Sequence, residues 1–211
     1  MNVDILNRRS RICNLDAVQM EYVYQIARIV SEPNTNRNMF STFLKRNMSQ
    51  ILDHLYLGSF DDAVDIKKLK NAGITHIVNT VETTNECRTG PYFYGEEFSY
   101  IGFTSQDEDR YPILKHFDET YEFIESCRKS NGKCLIHCMA GINRSGSLAV
   151  AYVMVLKGIG PLSATQLVFD RRGILLTNDG FKERLVKFAL EKDLLGKDEE
   201  LLKNLKDGEM K

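Results

Sequence analysis

The chain has 211 residues, 43% of them hydrophobic, with 28 Lys and Arg against 29 Asp and Glu. That is enough for one core of ordinary size plus an extension, and the interspersed charge marks a globular chain rather than a disordered one. A formal net charge of −1 excludes bulk electrostatic capture of nucleic acid or anionic membrane. The longest apolar run, Leu148 to Leu156, falls short of the roughly 20 residues that a spanning helix needs. Residues 1–12 carry acid and arginine where a signal peptide would be apolar. The five cysteines, at 13, 87, 127, 134 and 138, are odd in number and irregularly spaced. They form no disulfide framework and point to a reducing compartment. The expectation is a soluble protein of the cytoplasm, with the nucleus also open to it.

In chain order, Asn14 is the expected cap of a helix over about residues 15–30, where Met20, Val23, Tyr24, Ala27 and Val30 recur at helical spacing. Residues 31–38 read as a loop. Residues 1–45 therefore form an N-terminal helical extension to a main domain over 46–193. From Ile51 short strands alternate with helices. Residues 51–57 read as strand, in one piece or two, ending at Gly58. Residues 63–71 read as a helix stopped by Gly73, and 74–81 as a β-branched strand. A polar connection over 82–97 leads to a strand over 98–103 and a helix over 116–129. Residues 133–137 are a strand after the turn at Asn131-Gly132. Residues 144–156 are apolar all round, the mark of a buried helix, with Gly158 at the C-cap position. Pro161 opens a helix to about Phe169, and Asp179 one to about Glu191. The tail, 194–211, reads as charged, weakly helical and frayed. The alternation predicts an α/β sheet covered on both faces.

The informative stretch is Lys133-Cys-Leu-Ile-His-Cys-Met-Ala-Gly-Ile-Asn-Arg-Ser-Gly146. A strand delivers Cys138 into a tight turn, and Arg144 opens the long helix. Loop N–H groups and a helix N-terminus converge there as an anion cradle, with Gly141 permitting close backbone approach. The same dipoles stabilise the thiolate of Cys138. Arg144 offers a fork that grips two phosphoryl oxygens, and Ser145 can donate to the departing sulfur. Three other readings compete. A metal site from Cys134, His137 and Cys138 fails on distance, since 134 and 138 lie about 13 Å apart on an extended strand. A nucleotide P-loop over Gly141–Ser147 lacks its lysine. A merely structural cysteine leaves Gly141, Arg144 and Ser145 unexplained.

The H-C-x-x-G-x-x-R-S pattern of residues 137–145 resembles the signature of cysteine-dependent protein tyrosine phosphatases. Leu55-Tyr-Leu-Gly58, Gly73 to Asn79, Tyr152-Val-Met154 and Arg171 to Phe181 are similar to the dual-specificity branch, in particular its small atypical members. The resemblance covers about residues 50–190. It implies a protein tyrosine phosphatase-like fold, a central mixed, mostly parallel sheet flanked by helices. It also implies a nucleophile at Cys138, a phosphate cradle made by Met139, Ala140, Gly141, Ile142, Asn143 and Arg144, and no metal or cofactor. Thr177 stands where the family usually has proline, a change assigned to a turn rather than to chemistry. Asn143 stands where most members have serine, as in poxviral enzymes and phosphatases of the RNA 5′ end.

Cleaving a phosphate monoester needs a proton for the leaving oxygen. The candidates are Asp107, Glu108 and Asp109. The family's spacing, carried by Tyr100 and Phe117, implies Asp107, with Asp109 as the alternative. Retention of Cys138, Asp107, Arg144 and Ser145 favours an enzyme over a phosphoprotein-binding pseudophosphatase. The cradle has no charge beyond Arg144, which disfavours phosphoinositides, and the neutral charge balance disfavours RNA triphosphates. No segment deepens the cleft for phosphotyrosine alone, so phosphoserine and phosphothreonine are expected substrates too. Expected partners are thus phosphorylated proteins, with no membrane and no nucleic acid. Arg8-Arg9-Ser-Arg11 with Ile12, Cys13 and Leu15 could serve as a kinase-docking peptide, which makes a protein kinase a further candidate. The N-terminal helix is expected either to pack on the main domain or to form a homodimer.

Overall fold

A computed structural model describes residues 12–31, 47–82 and 89–209. Cys87, the 31–38 loop beyond Ser31, and the basic peptide at 8–11 lie outside the described residues. Five strands form one sheet: β1 (Ser49–Leu52), β2 (Leu55–Gly58), β3 (His76–Asn79), β4 (Ser99–Gly102) and β5 (Cys134–His137). Their spatial order is β1-β2-β5-β3-β4. β1 pairs antiparallel with β2, whereas β2–β5, β5–β3 and β3–β4 are parallel. This is the mixed, mostly parallel sheet expected from the sequence. β5 runs up the middle, with Cys134 in register with both Leu55 and His76. Buried on both sides, it alternates its side chains between two cores. Cys134 and Ile136 enter the larger core, and Leu135 the smaller one with Ile77, Leu69 and Phe98. Crevices in such sheets open at the carboxyl ends of the parallel strands, and β5 ends on His137, immediately before Cys138.

The helices are α1 (Ala17–Ser31), α2 (Phe60–Val64), α3 (Ile66–Ala72), α4 (Pro91–Tyr94), α5 (Phe117–Lys129), α6 (Arg144–Lys157), α7 (Pro161–Arg172), α8 (Asp179–Glu191) and α9 (Glu199–Glu209). α6 is the buried helix predicted, with 145–154 all inaccessible. It stops at Gly158, in the left-handed region at φ 61°, whose N–H donates to Met154 O and Val155 O.

Several boundaries differ from the sequence reading. Asp16, not Asn14, caps α1: its Oδ1 accepts the Gln19 N–H while the Gln19 Oε1 accepts the Asp16 N–H. Asn14 instead takes φ 51° in the preceding turn. The expected helix over 63–71 is two. Ser59 starts α2 through a capping box with Asp62, and Asp65 starts α3 by accepting from Lys68 N–H. α4 lies inside the expected polar connection, opened by Pro91.

α1 turns its apolar face inward. Tyr22, Val23, Ile26 and Ile29 join the main core against α7 and α8. The tail is not frayed over its described part. Leu194 and Leu202 enter the same core, and the buried Asp198 accepts from Leu162 N (2.6 Å) and Ser163 N (3.3 Å), capping α7 from outside that helix. Among the described residues no helix is long and apolar enough to cross a membrane.

Candidate active site

β5, the loop over 138–143 and the first turn of α6 form the cradle foreseen in the sequence. Its shape comes from where the loop carbonyls go. Met139 O accepts from Phe60 N at 3.1 Å, and Ile142 O from Leu176 N at 3.2 Å. The Arg172 side chain, reaching from the last turn of α7, donates Nε to Gly141 O and Nη2 to Ala140 O, both at 3.1 Å, and Nη1 to Asn47 O at 3.0 Å. Asn143 O accepts from Ser147 N and Oγ. Five successive carbonyls are thus held away from Cys138, so the loop's amide dipoles turn their positive ends toward it. Arg172 has no place in the sequence reading. An arginine near a helix end reads as solvated, and the glycine after it, Gly173 with φ 80°, marks only the end of α7.

Gly141 is required twice. Its φ is +67°, and a Cβ there would lie 2.4 Å from Gly58 O and 2.6 Å from Arg172 Nη2. Gly141→Ala is expected to cost about 2–4 kcal/mol, from a strained φ and a backbone clash. It should also displace the loop, read as a lower Tm together with weaker phosphate binding by calorimetry. An unchanged Tm would mean that the loop relaxes freely.

Cys138 is 1% exposed, at the floor of the cradle. Its Sγ accepts from Ser145 Oγ and from Gly141 N, both at 3.2 Å. Burial pushes this thiol up. The Ser145 hydroxyl and N–H, the Arg144 charge and the Ile142 N–H together outweigh it and leave the thiol below the ordinary 9.0. Burial raises Cys13, Cys127 and Cys134 instead. Among these four thiols, peroxide is therefore expected to oxidise Cys138 first, and the contrast to widen as pH falls from 9 toward 7. Mass spectrometry after a short exposure checks this. First attack on the half-buried Cys13 would show that exposure, not thiolate character, decides. His137, fully buried below the cradle, is lowered to about 4 by burial and stays neutral.

Arg144 lies along the cradle wall. Its Nη1 donates to Ser105 O at 3.2 Å, while its buried Nε has no hydrogen-bond partner among the described residues. That Nε is 3.8 Å from Asp107 Oδ2. Asp107 is reached through a loop pinned at both ends. Ser105 Oγ donates to Thr80 O, and the Tyr111 hydroxyl donates to Thr104 O at 2.8 Å. In the middle, the backbone of Asp109 rests on the first turn of α8 at Gly180, where a Cβ would lie 2.1 Å from Asp109 O. Of the two aspartates weighed from the sequence, Asp107 is brought to the cradle. The Asp109 backbone is packed on α8 instead.

Asp107 is held by two side-chain amides. Asn178 Nδ2 donates to Oδ1 at 3.0 Å and Asn143 Nδ2 to Oδ2 at 3.1 Å. Thr177, assigned from the sequence to a turn, belongs to this network: its Oγ1 donates to Asn143 Oδ1 at 3.1 Å. A proline there would have no such donor. Asn143 sits in the cradle loop as expected and its side chain reaches the loop of Asp107, while Thr177 is not confined to a turn but contacts that Asn143 side chain.

Comparisons with known proteins address the family and the fold. Residues 55–191 match the family model for the dual specificity phosphatase catalytic domain. The mouse dual specificity protein phosphatase 15 is 38% identical over 142 residues, covering 67% of this chain and 57% of that protein. The mouse dual specificity protein phosphatase 22 is 34% identical over 141 residues, covering 67% and 73%. The chain thus spans little more than half the length of the first of these relatives. The crystal structure of DUSP15 superposes with a TM-score of 0.63 at 32% identity, covering 77% of this chain and 96% of that one. The match extends through both sequence and fold, and the chain belongs to the dual-specificity phosphatase family.

Proposed function

We propose that the protein is a phosphatase that hydrolyses phosphotyrosine and phosphoserine or phosphothreonine in proteins through a cysteinyl-phosphate intermediate. The observation that carries this reading is the Cys138 sulfur accepting from Ser145 Oγ and Gly141 N inside a ring of outward carbonyls, with the Asp107 carboxyl 3.8 Å from Arg144 Nε. In the first half-reaction the Cys138 thiolate attacks phosphorus. The P–S bond forms, the P–O ester bond breaks, and the leaving oxygen takes a proton from Asp107. Amides of residues 139–144 and the Arg144 guanidinium carry the charge that develops on the non-bridging oxygens. In the second, water attacks the phosphorus and gives its proton to the Asp107 carboxylate. The P–S bond breaks toward sulfur, and the Ser145 hydroxyl stabilises the returning thiolate.

Met139, Ala140, Ile142 and Asn143 add no charge to Arg144 at the mouth of the cradle, which suits an isolated phosphate monoester better than a polyphosphate or a phosphoinositide. Asn143 was the residue that favoured an RNA triphosphate in the sequence. Both ends of its amide are engaged within the chain, which ties it to the loop of Asp107 and to Thr177. Phosphate release from matched phosphotyrosine and phosphothreonine peptides, a phosphoinositide and a 5′-triphosphate RNA is the test. Turnover of both peptides well above the other two is expected. Preference for the RNA or the lipid would overturn the substrate class, and tight peptide binding without turnover would make the protein a pseudophosphatase.

A further inference from the structure

We propose that Asn143, held by Thr177, is a positioning residue that aims Asp107 at the leaving oxygen. The inference rests on the phosphatase reading above and adds to it a role for two side chains that its steps do not use. An asparagine amide has a donor end and an acceptor end, and which end faces which neighbour decides what it can do. Here the choice is forced. Asn143 Oδ1 receives the backbone N–H of Asn178 at 3.1 Å as well as the Thr177 hydroxyl. A backbone N–H can only donate, so the oxygen must face it and Nδ2 must face Asp107 Oδ2. Asn178 obeys the same logic. Its Oδ1 accepts the Phe181 N–H at 3.1 Å, as N-cap of α8, which leaves its Nδ2 for Asp107 Oδ1.

The two carboxyl oxygens of Asp107 are therefore met by two amides, each keyed by a main-chain donor at the start of α8. Each oxygen has two lone-pair directions and gives one to an amide. Oδ2 is the oxygen 3.8 Å from Arg144 Nε, so the Asn143 amide holds the side of the carboxyl that lies beside the cradle. Asn143 is itself fixed to α6 through Ser147 N and Oγ on its carbonyl, at 2.8 and 2.7 Å. The cradle and the acid thus share one residue, and their relative position does not depend on the stiffness of the exposed acid loop.

A positioning role separates from a structural one by leaving group. Asn143→Ala is expected to lower kcat/KM for a phosphothreonine peptide by about 10- to 100-fold, the usual cost of a misplaced proton donor. On p-nitrophenyl phosphate, whose anion leaves without a proton, the loss should be about tenfold smaller than on the peptide. Thr177→Val should give the same selective loss in smaller degree, and Thr177→Ser, which keeps the hydroxyl, should restore it. Asn143→Ala added to Asp107→Asn should cost nothing further on either substrate, because there is no acid left to aim. Side-chain amide signals read the contacts without turnover: Asp107→Ala should move the Asn143 and Asn178 pairs, and Thr177→Val the Asn143 pair. Equal losses on both substrates, full additivity with Asp107→Asn, or unmoved amide signals would each overturn the inference while leaving the phosphatase reading intact. A wild-type protein that turned over neither substrate would overturn both.

Discussion

Cys138→Ser is expected to abolish turnover, by about 10⁴-fold or more, while leaving phosphate bound. The two properties come from different atoms. Turnover needs a thiolate, and the groups that stabilise it are the Ser145 hydroxyl, the amides of 142 and 145 and the Arg144 charge. None of them brings a hydroxyl with an ordinary alcohol's acidity near ionisation at neutral pH. Binding needs the inward amides, whose carbonyls are held by Arg172, Phe60 and Leu176, and the guanidinium, which is held by Ser105 O. The variant should fold with an unchanged Tm, give no burst and no steady-state release, and hold a phosphotyrosine peptide in calorimetry. Residual activity within tenfold of the parent would exclude covalent catalysis by Cys138. Loss of binding together with turnover would mean that the sulfur itself shapes the cradle.

Asp107→Asn is expected to lower kcat by about 10²–10⁴-fold on a phosphothreonine peptide, the worth of a positioned acid. Asparagine keeps the shape but carries no transferable proton, and its own Nδ2 would now meet the amide donor of Asn143 or Asn178. The loss should be much smaller on an activated aryl phosphate. The basic limb of the kcat/KM profile should flatten, since that limb reports loss of the acid's proton. Cys138, held by Ser145 and Gly141, should still react with a thiol-specific alkylating agent, so the variant should trap a phosphoprotein. An unchanged rate and basic limb here, with both lost in Asp109→Asn, would move the acid by two residues along its loop.

What was legible in the sequence was what is local. Strand, glycine-bearing turn and helix follow one another without interruption from Lys133 to Leu156, and each element announces itself within a few residues. The order β1-β2-β5-β3-β4 is not local, and the family resemblance supplied only a mixed, mostly parallel sheet without it. Asp16 and Asn14 are equally good caps by composition. Gln19, three residues after Asp16, is the partner that decided between them. The role of Arg172 was invisible because the carbonyls it holds most closely, those of Asn47, Ala140 and Gly141, are distant in sequence. Spacing singled out Asp107, which the fold brings beside Arg144, but Asn143, Thr177 and Asn178 come together only once α8 starts beside α6. Asp198 showed the same limit at the other end of α7, since a carboxylate in a charged tail carries no mark of the helix it will cap.

The outward carbonyls bear on what a signature motif is worth when it is moved. Cys138 to Ser145 contribute the amides, but Phe60, Leu176 and Arg172, from three other parts of the chain, decide which way those peptide planes face. Transplanted onto a foreign strand–helix junction, the same eight residues would be free to rotate their carbonyls toward the sulfur. The loop would then repel the anion it now attracts, and the thiol would keep an ordinary proton affinity. Reactivity in this protein is a property of the junction's surroundings, and a pattern match to the loop alone underdetermines it.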